Sequence, residues 1–320
     1  MKRVPKIAFT MGDPCGVGPE IIVRAIAHNC RSASEAEIFV YGSPDILETA
    51  RERFAPDSKF TVIPCGSMPF EAVKPGMVDP AAGMEAYHAV ERATLDALSG
   101  KIDAIVTAPM NKTSVNEAGI AFTGHTEFIA ELCNCSDFAM MQSAGKLHVV
   151  FVSTHIPVCE ASAAVTFERI VKVTELLHEV LLEEGLEKPK IAMAALNPHA
   201  GENGHMGTEE ERVIKPAIAE LRKKGMDVSP PFPPDTLFIK ETLDRFDGVV
   251  SMYHDQGHIP FKMLAFDRGV NSTLGIPVIR TSVDHGTAFD IAWKGTADIG
   301  SISAAYHSAL TRALNRINRK

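Results

Sequence analysis

The chain has 320 residues, 45% of them hydrophobic and 22% charged, which is an ordinary composition for a globular protein long enough to form two domains. A formal net charge of −8 argues against nucleic acid or an anionic membrane as a partner. No apolar run approaches a membrane span of about 20 residues, and the first apolar segment, residues 7–10, is too short for a signal peptide. The six cysteines include no CxxC pair, so Cys133 and Cys135 are interpreted as structural and a reducing, cytoplasmic location is expected.

Short apolar runs alternate along the chain with amphipathic segments. Runs typical of strands lie at residues 6–11, 37–41, 60–63, 102–107, 147–154, 190–196, 248–252 and 278–281. Helical spacing is found at 84–98, at 166–184 with Thr166 as its cap, and at 208–224, which Pro216 should kink or divide. The proline-rich segment 229–235 is interpreted as a rigid loop before a short helix at Thr236. This alternation predicts an α/β fold with a mostly parallel sheet.

A glycine-rich segment, GDPCGVGPE at residues 12–20, follows the first strand and opens a helix with Pro19 and Glu20 in its first turn. Its glycines would let the backbone approach a ligand closely. The spacing is not that of the dinucleotide fingerprint GxGxxG, so a Rossmann interpretation fails here. A tight strand–helix turn without a ligand is an equally good interpretation of the segment.

Three histidines stand where an apolar strand ends: His155, His199 and His254. Ligands bind beyond the carboxyl ends of the strands in open α/β sheets. A single histidine at such a place is usually structural, but three at equivalent ends favour one shared site. Three imidazoles with an open fourth position are typical of a catalytic metal centre. Asp255 could orient the metal-bound ring of His254 or act as a base.

Groups suited to an anion follow other strands. His125 and Thr126, in the segment GHTE, offer donors after a flexible glycine, although Thr126 could simply cap a helix. Lys112 follows the strand at 102–107 and could equally be a solvated charge. A cluster of donors that would suit phosphate or carboxylate comes later in the chain: Lys262, Asn271 and Arg280. Residues 284–292 place a glycine loop directly before a helical segment, where exposed amides could receive a nucleotide.

With these motifs assembled, the chain resembles the 4-hydroxythreonine-4-phosphate dehydrogenase (PdxA) family almost from end to end. The resemblance is carried by MGDPCGVGPE, TAPMNK, GHTEF, the STH at His155, NPHAGE, YHDQGH, RGVN and IRTSVDHGTAFDIA. It implies two α/β/α domains around a cleft, as in isocitrate and isopropylmalate dehydrogenases, a homodimer, and NAD or NADP bound without a Rossmann fingerprint. One discontinuous domain, residues 1–130 and 265–320, would bind the cofactor. Residues 131–264 would bind metal and substrate and form the dimer.

The same resemblance assigns roles to residues at matching positions. It implies a divalent metal on His155, His199 and His254, in a site shared across the dimer interface; zinc suits three imidazoles, and Mg, Co or Mn can also occupy such sites. The substrate contacts would be His125, Thr126, Lys262, Asn271 and Arg280. The adenosine loop would comprise His285, Gly286, Thr287, Ala288 and Asp290.

Two departures from the family pattern stand out. His258 and Ile259, in YHDQGHIPFK, bring the chain closer to relatives that oxidise D-threonate or D-erythronate 4-phosphate in sugar-acid catabolism than to those of pyridoxine biosynthesis. Trp293 stands where the family usually carries a glycine after the cofactor loop.

The expected activity is NAD-dependent, metal-assisted oxidation, with decarboxylation, of a 4-phosphorylated four-carbon 3-hydroxy acid. D-threonate or D-erythronate 4-phosphate is the alternative substrate. The proton acceptor stays open between Asp255, Lys112 and water. A zinc-dependent lyase of the aldolase type also uses three histidines and phosphorylated substrates, but it has no need of a nucleotide loop. A non-catalytic sensor of a phosphorylated metabolite is a weaker rival.

Overall fold

The computed structural model describes residues 3–29 and 35–319, so Cys30 and both chain ends of the predicted first domain lie outside the described residues. The chain folds into two compact units. The first runs to Ser136 and resumes at Ile276, and the second is Asp137–Gly275. The chain therefore crosses between units after residues 136 and 275, whereas the sequence prediction put these crossings after 130 and 264. No helix in the described part of the chain is long and apolar enough to cross a membrane.

The first unit contains a wholly parallel five-stranded sheet in the order β3-β2-β1-β4-β11. Its strands are β1 (Lys6–Thr10), β2 (Glu37–Gly42), β3 (Thr61–Pro64), β4 (Ala104–Thr107) and β11 (Ile279–Val283). Its helices are α1 (Gly18–Asn29), α2 (Pro44–Phe54), α3 (Pro80–Leu98), α4 (Lys112–Glu117), α5 (His125–Leu132) and α12 (Gly300–Arg319). Helices α3 and α12 pack against the strands, where Phe9 of β1 stacks on Tyr306 of α12 at 5.8 Å between ring centroids.

The second unit contains a mixed sheet in the order β10-β5-β6-β9-β7-β8, in which β5 runs antiparallel to both neighbours and the remaining pairs are parallel. Its strands are β5 (Ala139–Ala144), β6 (Leu147–Phe151), β7 (Lys190–Ala194), β8 (Asp227–Phe232), β9 (Gly248–Ser251) and β10 (Val270–Leu274). Its helices are α6 (Ala161–Ala164), α7 (Phe167–Glu183), α8 (Lys215–Lys223), α9 (Pro234–Leu237), α10 (Lys240–Leu243) and α11 (His254–Ala265).

Helices cover both faces of the second sheet. Successive strand residues point to opposite sides, so neighbouring residues of one strand belong to different cores. Val150 belongs to a core that includes Leu177 of α7 and Ile218 of α8. Its neighbour Phe151 belongs to a second core that includes Phe261 of α11. The layers are therefore helix, sheet and helix, which confirms the predicted α/β/α architecture.

Helix ends largely follow the sequence signals. The Thr166 side chain accepts a hydrogen bond from the Arg169 amide, which confirms the cap of α7. The segment 208–224 divides as predicted: a π-helical turn, Glu210–Ile214, leads into α8, whose first turn contains Pro216. Short 3-10 turns lie at Phe70–Ala72, Val158–Glu160, Phe266–Arg268 and Phe289–Ile291, and Pro198–Gly204 forms a left-handed turn.

The interpretation of the proline-rich segment as a loop was wrong. Residues Ser229 to Phe232 belong to strand β8, and the following helix α9 begins at Pro234. Prolines are tolerated there because β8 is an edge strand, with β7 as its one strand partner among residues 3–29 and 35–319. Strands β5 and β10 were not predicted at all, because their sequences mix polar and apolar residues without strict alternation.

Candidate functional site

The strands that precede the three predicted metal ligands are neighbours. In the second sheet β6 pairs with β9 and β9 pairs with β7, all parallel, so their carboxyl ends share one edge. His155 follows β6, His254 is the first residue of α11 shortly after β9, and His199 lies in the turn Pro198–Gly204 after β7. The topology thus brings all three histidines to the same edge of one sheet.

Two of these imidazoles face each other. The ring centroids of His155 and His254 are 6.0 Å apart. Asp255 Oδ1 lies 2.7 Å from His254 Nδ1, a contact that leaves Nε2 of this ring available to a ligand. Within residues 3–29 and 35–319, however, no three His, Cys, Asp or Glu side chains form a group that could hold a metal ion. A single chain therefore does not assemble the three predicted ligands into a closed centre.

His258 supports His254 from the next turn of α11, a feature that the sequence interpretation missed. Its ring stacks between Phe151, at 4.2 Å, and His254, at 3.9 Å between centroids. Burial, and then the charge of His254, lower the pKa of His258 to about 4, so the ring is neutral at physiological pH. The i, i+4 spacing of the two histidines is the sequence signal that could have predicted this pairing.

His199 lies in a left-handed turn. Residues 199–203 all have positive φ, with values of 52° at His199, 53° at Ala200, 74° at Gly201, 41° at Glu202 and 58° at Asn203. This conformation is costly for residues with a Cβ and persists only where the surroundings enforce it. The buried carboxylate of Glu210 is one such constraint, because it accepts hydrogen bonds from the amides of Leu196 and Asn197 at 2.9 and 2.7 Å.

A buried cation marks the sheet of the first unit. Arg280 on β11 is only 2% exposed. Its Nε and Nη2 atoms donate to Thr107 Oγ1 at 3.2 and 2.9 Å, and Nη1 lies 3.5 Å from Thr126 Oγ1. Burial lowers the pKa of Arg280 to about 10, against the opposing charge of Glu127, so the guanidinium is still positive at neutral pH. Two threonine hydroxyls thus fix the orientation of this guanidinium.

Helix α5 begins beside this arginine. Gly124 occupies the N-cap position and Thr126 lies in the first turn, so the interpretation of Thr126 as the cap was wrong. His125 forms a hydrogen bond with the backbone of Ala108, and burial together with the charges of Arg280 and Lys112 holds the pKa of His125 well below its usual value. Its Nε2 atom is buried and has no hydrogen-bond partner among the described residues.

Four of the six predicted anion-binding residues come together in the first unit: His125, Thr126, Arg280 and Lys112. Lys112, at the start of α4, belongs to this group because its Nζ would lie 3.6 Å from a methyl group placed on Gly124. Lys262 and Asn271 belong to the second unit, where Lys262 Nζ lies 5.9 Å from the centre of the Phe266 ring and Asn271 pairs with Gln142 across β10 and β5.

The predicted nucleotide loop is anchored to the glycine-rich segment. The Thr287 carbonyl accepts from the Val17 amide at 3.0 Å, and Ala288 has a left-handed backbone with φ of 44°. Gly286 is exposed and would meet nothing within 4 Å if it carried a methyl group, so a ligand can approach the backbone there. Trp293 donates from Nε1 to the Pro14 carbonyl at 2.8 Å, which ties the end of the loop to the same segment.

Two buried carboxyl groups hold the nucleotide loop and the glycine-rich segment in place. The sequence interpretation missed these structural roles. Glu20 accepts from the amides of Gly295 and Ala297, both at 3.1 Å. Asp13 accepts from Ser114 Oγ of α4 at 3.1 Å and from the Cys15 amide at 2.9 Å, and burial raises the pKa of Asp13 to about 6. The glycine-rich segment is therefore an anchor for both the nucleotide loop and the helix that carries Lys112.

Comparison with known proteins agrees with this architecture. Residues 20–309 match the family model described as pyridoxal phosphate biosynthetic protein PdxA. The chain is 43% identical to 4-hydroxythreonine-4-phosphate dehydrogenase of Desulforapulum autotrophicum, over 98% of each chain. It is 44% identical to D-threonate 4-phosphate dehydrogenase of Salmonella typhimurium, over 96% of this chain and 98% of the relative.

Solved structures show the same relationship. The crystal structure of 4-hydroxythreonine-4-phosphate dehydrogenase from Klebsiella pneumoniae superposes with a TM-score of 0.83 at 40% identity, covering 98% of both chains. Isocitrate dehydrogenase from Methylococcus capsulatus superposes with a TM-score of 0.52 at 15% identity, over 99% of this chain and 89% of that one, which supports the predicted fold alone. The match to the family model and the identity over nearly the whole length have one explanation: the chain belongs to the PdxA family.

Proposed function

We propose that this protein is an NAD-dependent dehydrogenase that oxidises, and thereby decarboxylates, a 4-phosphorylated four-carbon 3-hydroxy acid of the 4-hydroxythreonine 4-phosphate type. The observation that carries the proposal is the near-full-length similarity to enzymes named for this reaction and for its D-threonate counterpart. An enzyme whose cofactor is NAD and whose substrate is a phosphorylated metabolite is expected in the cytoplasm.

The phosphate is assigned to the cluster around Arg280. A buried guanidinium held by Thr107 and adjacent to Thr126 is preorganised, so little conformational entropy is lost when it binds an anion. Lys112 adds a second positive charge to the environment of His125. Lys262 and Asn271 are proposed as further substrate contacts on the grounds of the family resemblance. Binding of the non-reacting phosphate would position the carbon that is oxidised.

The cofactor is assigned to the loop that carries His285, Gly286, Thr287, Ala288 and Asp290. The exposed Gly286 backbone and its anchorage to the glycine-rich segment suit an adenosine moiety. A nicotinamide cofactor held there would supply the hydride acceptor. This chain's part is to hold the loop rigid, through Glu20 and Trp293. The cofactor proposed for this loop is NAD or NADP.

A divalent metal is proposed at His155, His199 and His254, and the fit to one chain is partial. His155 and His254 face each other, and Asp255 orients the ring of His254, a role that also makes Asp255 less available as a base. When bound, the metal would polarise the substrate oxygens. Zinc is the metal that three imidazoles suit best.

We further propose that a second copy of the chain completes this centre. Exposed apolar side chains follow each of the three histidines: Val158 (77% exposed) after His155, Met206 after His199, and Met263 (82%) and Phe266 (76%) after His254. Apolar groups exposed to this extent around polar ligands are typical of an interface between subunits. A homodimer with its active site at the interface accounts for both the apolar groups and the incomplete ligand set.

D-threonate or D-erythronate 4-phosphate is the second candidate substrate, favoured by His258 and by the identity to the Salmonella enzyme. The discriminating experiment compares kcat/KM for NADH formation with 4-phosphohydroxy-L-threonine, D-threonate 4-phosphate and D-erythronate 4-phosphate, with zinc supplied. We expect at least tenfold preference for one of them and no turnover of the unphosphorylated acids. Equal rates with and without the phosphate would contradict the role of Arg280.

The lyase alternative gains no support from relatives that are named dehydrogenases.

A further inference from the structure

The backbone of Trp293 lies in the left-handed region, with φ of 61°. Glycine adopts this conformation freely, whereas a bulky side chain there is a rare exception. The PdxA family pattern has a glycine at this position, so the chain keeps a backbone that suits glycine and adds an indole ring to it. A strained residue persists only where its surroundings hold it in place. The indole ring must therefore make contacts that offset the backbone strain.

The indole ring belongs to an aromatic cluster at the end of α2. Its centroid lies 4.8 Å from that of Phe70 and 5.8 Å from that of Phe54. The guanidinium carbon of Arg53 lies 4.3 Å from the centre of the Phe70 ring and 5.9 Å from the centre of the Trp293 ring. Tilted aromatic rings attract one another, and a cation is attracted to the face of a ring. We name these four side chains the aromatic lock.

The aromatic lock joins the end of the proposed cofactor loop to two earlier segments. Phe54 is the last residue of α2, and Phe70 begins a 3-10 turn. The Phe70 amide donates to Asp45 Oδ2, in the first turn of α2, at 2.6 Å. Phe54 and Trp293 also pack against buried residues of α1 and α2. Because Trp293 Nε1 donates to the Pro14 carbonyl as well, the indole is held both by its ring and by its N–H group.

We propose that Trp293 and Phe70 are positioning residues for the cofactor, because their contact holds residues 285–290 in the binding conformation before the cofactor arrives. A loop that is already ordered loses less conformational entropy on binding, so the contact raises the affinity for the cofactor. The inference rests on the proposed assignment of the cofactor to this loop. It adds Phe70, which belongs to no predicted site, and it gives a role to a tryptophan that departs from the family pattern.

Three variants take the aromatic lock apart. Trp293→Gly removes the ring and suits the left-handed backbone, so it releases the loop without adding strain. Trp293→Phe keeps an aromatic ring but loses the Nε1 donor, and Phe70→Ala removes the ring on which the indole packs. Phe246→Ala is the matched control. It removes a half-buried ring of the second unit that lies 5.6 Å from the Phe232 ring and 5.5 Å from the guanidinium carbon of an arginine.

The measurement is the dissociation constant of NAD, obtained by calorimetric titration of the full-length protein. We expect Trp293→Gly and Phe70→Ala to weaken NAD binding at least tenfold each, and the double variant to be no weaker than the worse single variant, because both changes break one contact. Trp293→Phe should be intermediate. Phe246→Ala should bind NAD as the native protein does, and the affinity for inorganic phosphate should stay constant throughout. Unchanged NAD affinity in Trp293→Gly, or an equal loss in Phe246→Ala, would overturn the inference.

A second measurement tests the aromatic lock without cofactor or turnover. Trp293 is the one tryptophan of the sequence, so the tryptophan fluorescence of the protein comes from the lock itself. Quenching by acrylamide should be weak in the native protein and several-fold stronger in Phe70→Ala. Equal quenching of the two proteins would overturn the inference, since the indole would then not be held by Phe70. A native protein that binds no NAD contradicts the proposed function, and the quenching comparison still decides whether the lock exists.

Discussion

At the scale of single residues, a charged side chain of the candidate site differs from the charged side chains of the surface because it is buried. Arg280 is almost fully buried, but its guanidinium is fixed by hydroxyls of Thr107 and Thr126. Burying a cation is costly, and a protein retains such a group where the charge has a task. The exposed ion pairs of this chain, such as Lys223 with Glu220, are not fixed in this way and contribute little to stability.

Replacing Arg280 should weaken the binding of phosphorylated substrate. Arg280→Ala removes charged hydrogen-bond donors worth about 2 kcal/mol, which is roughly a thirtyfold rise in KM, with a smaller effect on kcat. Arg280→Lys keeps the charge but loses the planar fork and should be intermediate. Lys223→Ala, which removes an exposed charge, is the control, and steady-state kinetics is the measurement. Unchanged KM in Arg280→Ala would remove this residue from the phosphate site.

His148 makes a pH-dependent contribution to stability. Its Nε2 lies 2.8 Å from Glu184 Oε2 and its Nδ1 lies 3.0 Å from the Asp247 carbonyl, and the pKa of this histidine is raised although burial opposes the shift. A raised folded-state pKa means that the stabilisation is complete below the unfolded value, about 6.5, and is lost as the pH rises through the folded value. His148→Gln should therefore lower the free energy of unfolding more at pH 6 than at pH 9.

Denaturant unfolding at several pH values measures this effect. His178 is the matched control, because burial lowers its pKa and the trend for His178→Gln should have the opposite sign. A cost of His148→Gln that is constant from pH 6 to pH 9 would mean that the Glu184 pair does not stabilise the charged imidazole.

At the scale of elements, local patterning predicted the buried parallel strands and missed those defined by their neighbours. Strand β6 is a continuous apolar run and was predicted. Strand β10 reads VNSTL and β5 reads AMMQSA, and each becomes a strand by antiparallel pairing that no local signal announces. Strand β8 contains prolines, which are compatible with a strand only because of its position at the edge of the sheet.

The same distinction holds for the candidate site, where some features follow from local sequence and others depend on distant segments. The positions of His155, His199 and His254 at one sheet edge followed from counting apolar runs. The left-handed turn around His199, and its support by Glu210, could not be predicted, because the constraint comes from a carboxylate that follows the turn in the chain and folds back on it. The linkage of Glu20 to Gly295 and Ala297 was missed for a similar reason, since it joins segments some 275 residues apart.

Two glycines in the left-handed turn around His199 offer a matched test of the packing of this turn. A methyl group at Gly201 would lie 2.5 Å from Glu210 Oε2, whereas one at Gly204 would meet nothing within 4 Å, and both residues have positive φ. Gly204→Ala should cost about 1 kcal/mol for its backbone conformation alone. Gly201→Ala should cost more and should make the turn more susceptible to limited proteolysis, since the Glu210 contact must yield. Equal free energies of unfolding would show that Glu210 does not hold the turn.

At the scale of the whole molecule, the apolar face of α11 connects assembly to the metal centre. Ile259 and Met263, one turn apart on α11, are 57% and 82% exposed, and Phe266, in the 3-10 turn that follows the helix, is 76% exposed. Ile259 and Met263 belong to the helix that His254 begins, so a partner that covers them would contact the element that carries this histidine.

Met263→Glu should therefore yield a monomer that retains less zinc, as measured by sedimentation velocity and by metal analysis after dialysis. A buried charge without a partner destabilises an interface by several kcal/mol. Leu95→Glu, which alters an exposed apolar residue of α3 in the other unit, is the control and should change neither property. A Met263→Glu dimer with full metal content would contradict the proposed interface.

The central claim is that this chain transfers a hydride from a phosphorylated hydroxy acid to NAD. The most direct test incubates the purified protein with NAD, zinc and a 4-phosphorylated four-carbon 3-hydroxy acid, and quantifies NADH, carbon dioxide and remaining substrate. We expect NADH and carbon dioxide in equal amounts, both matching the substrate consumed. Consumption of the phosphorylated acid without NADH, as a lyase would produce, would contradict it.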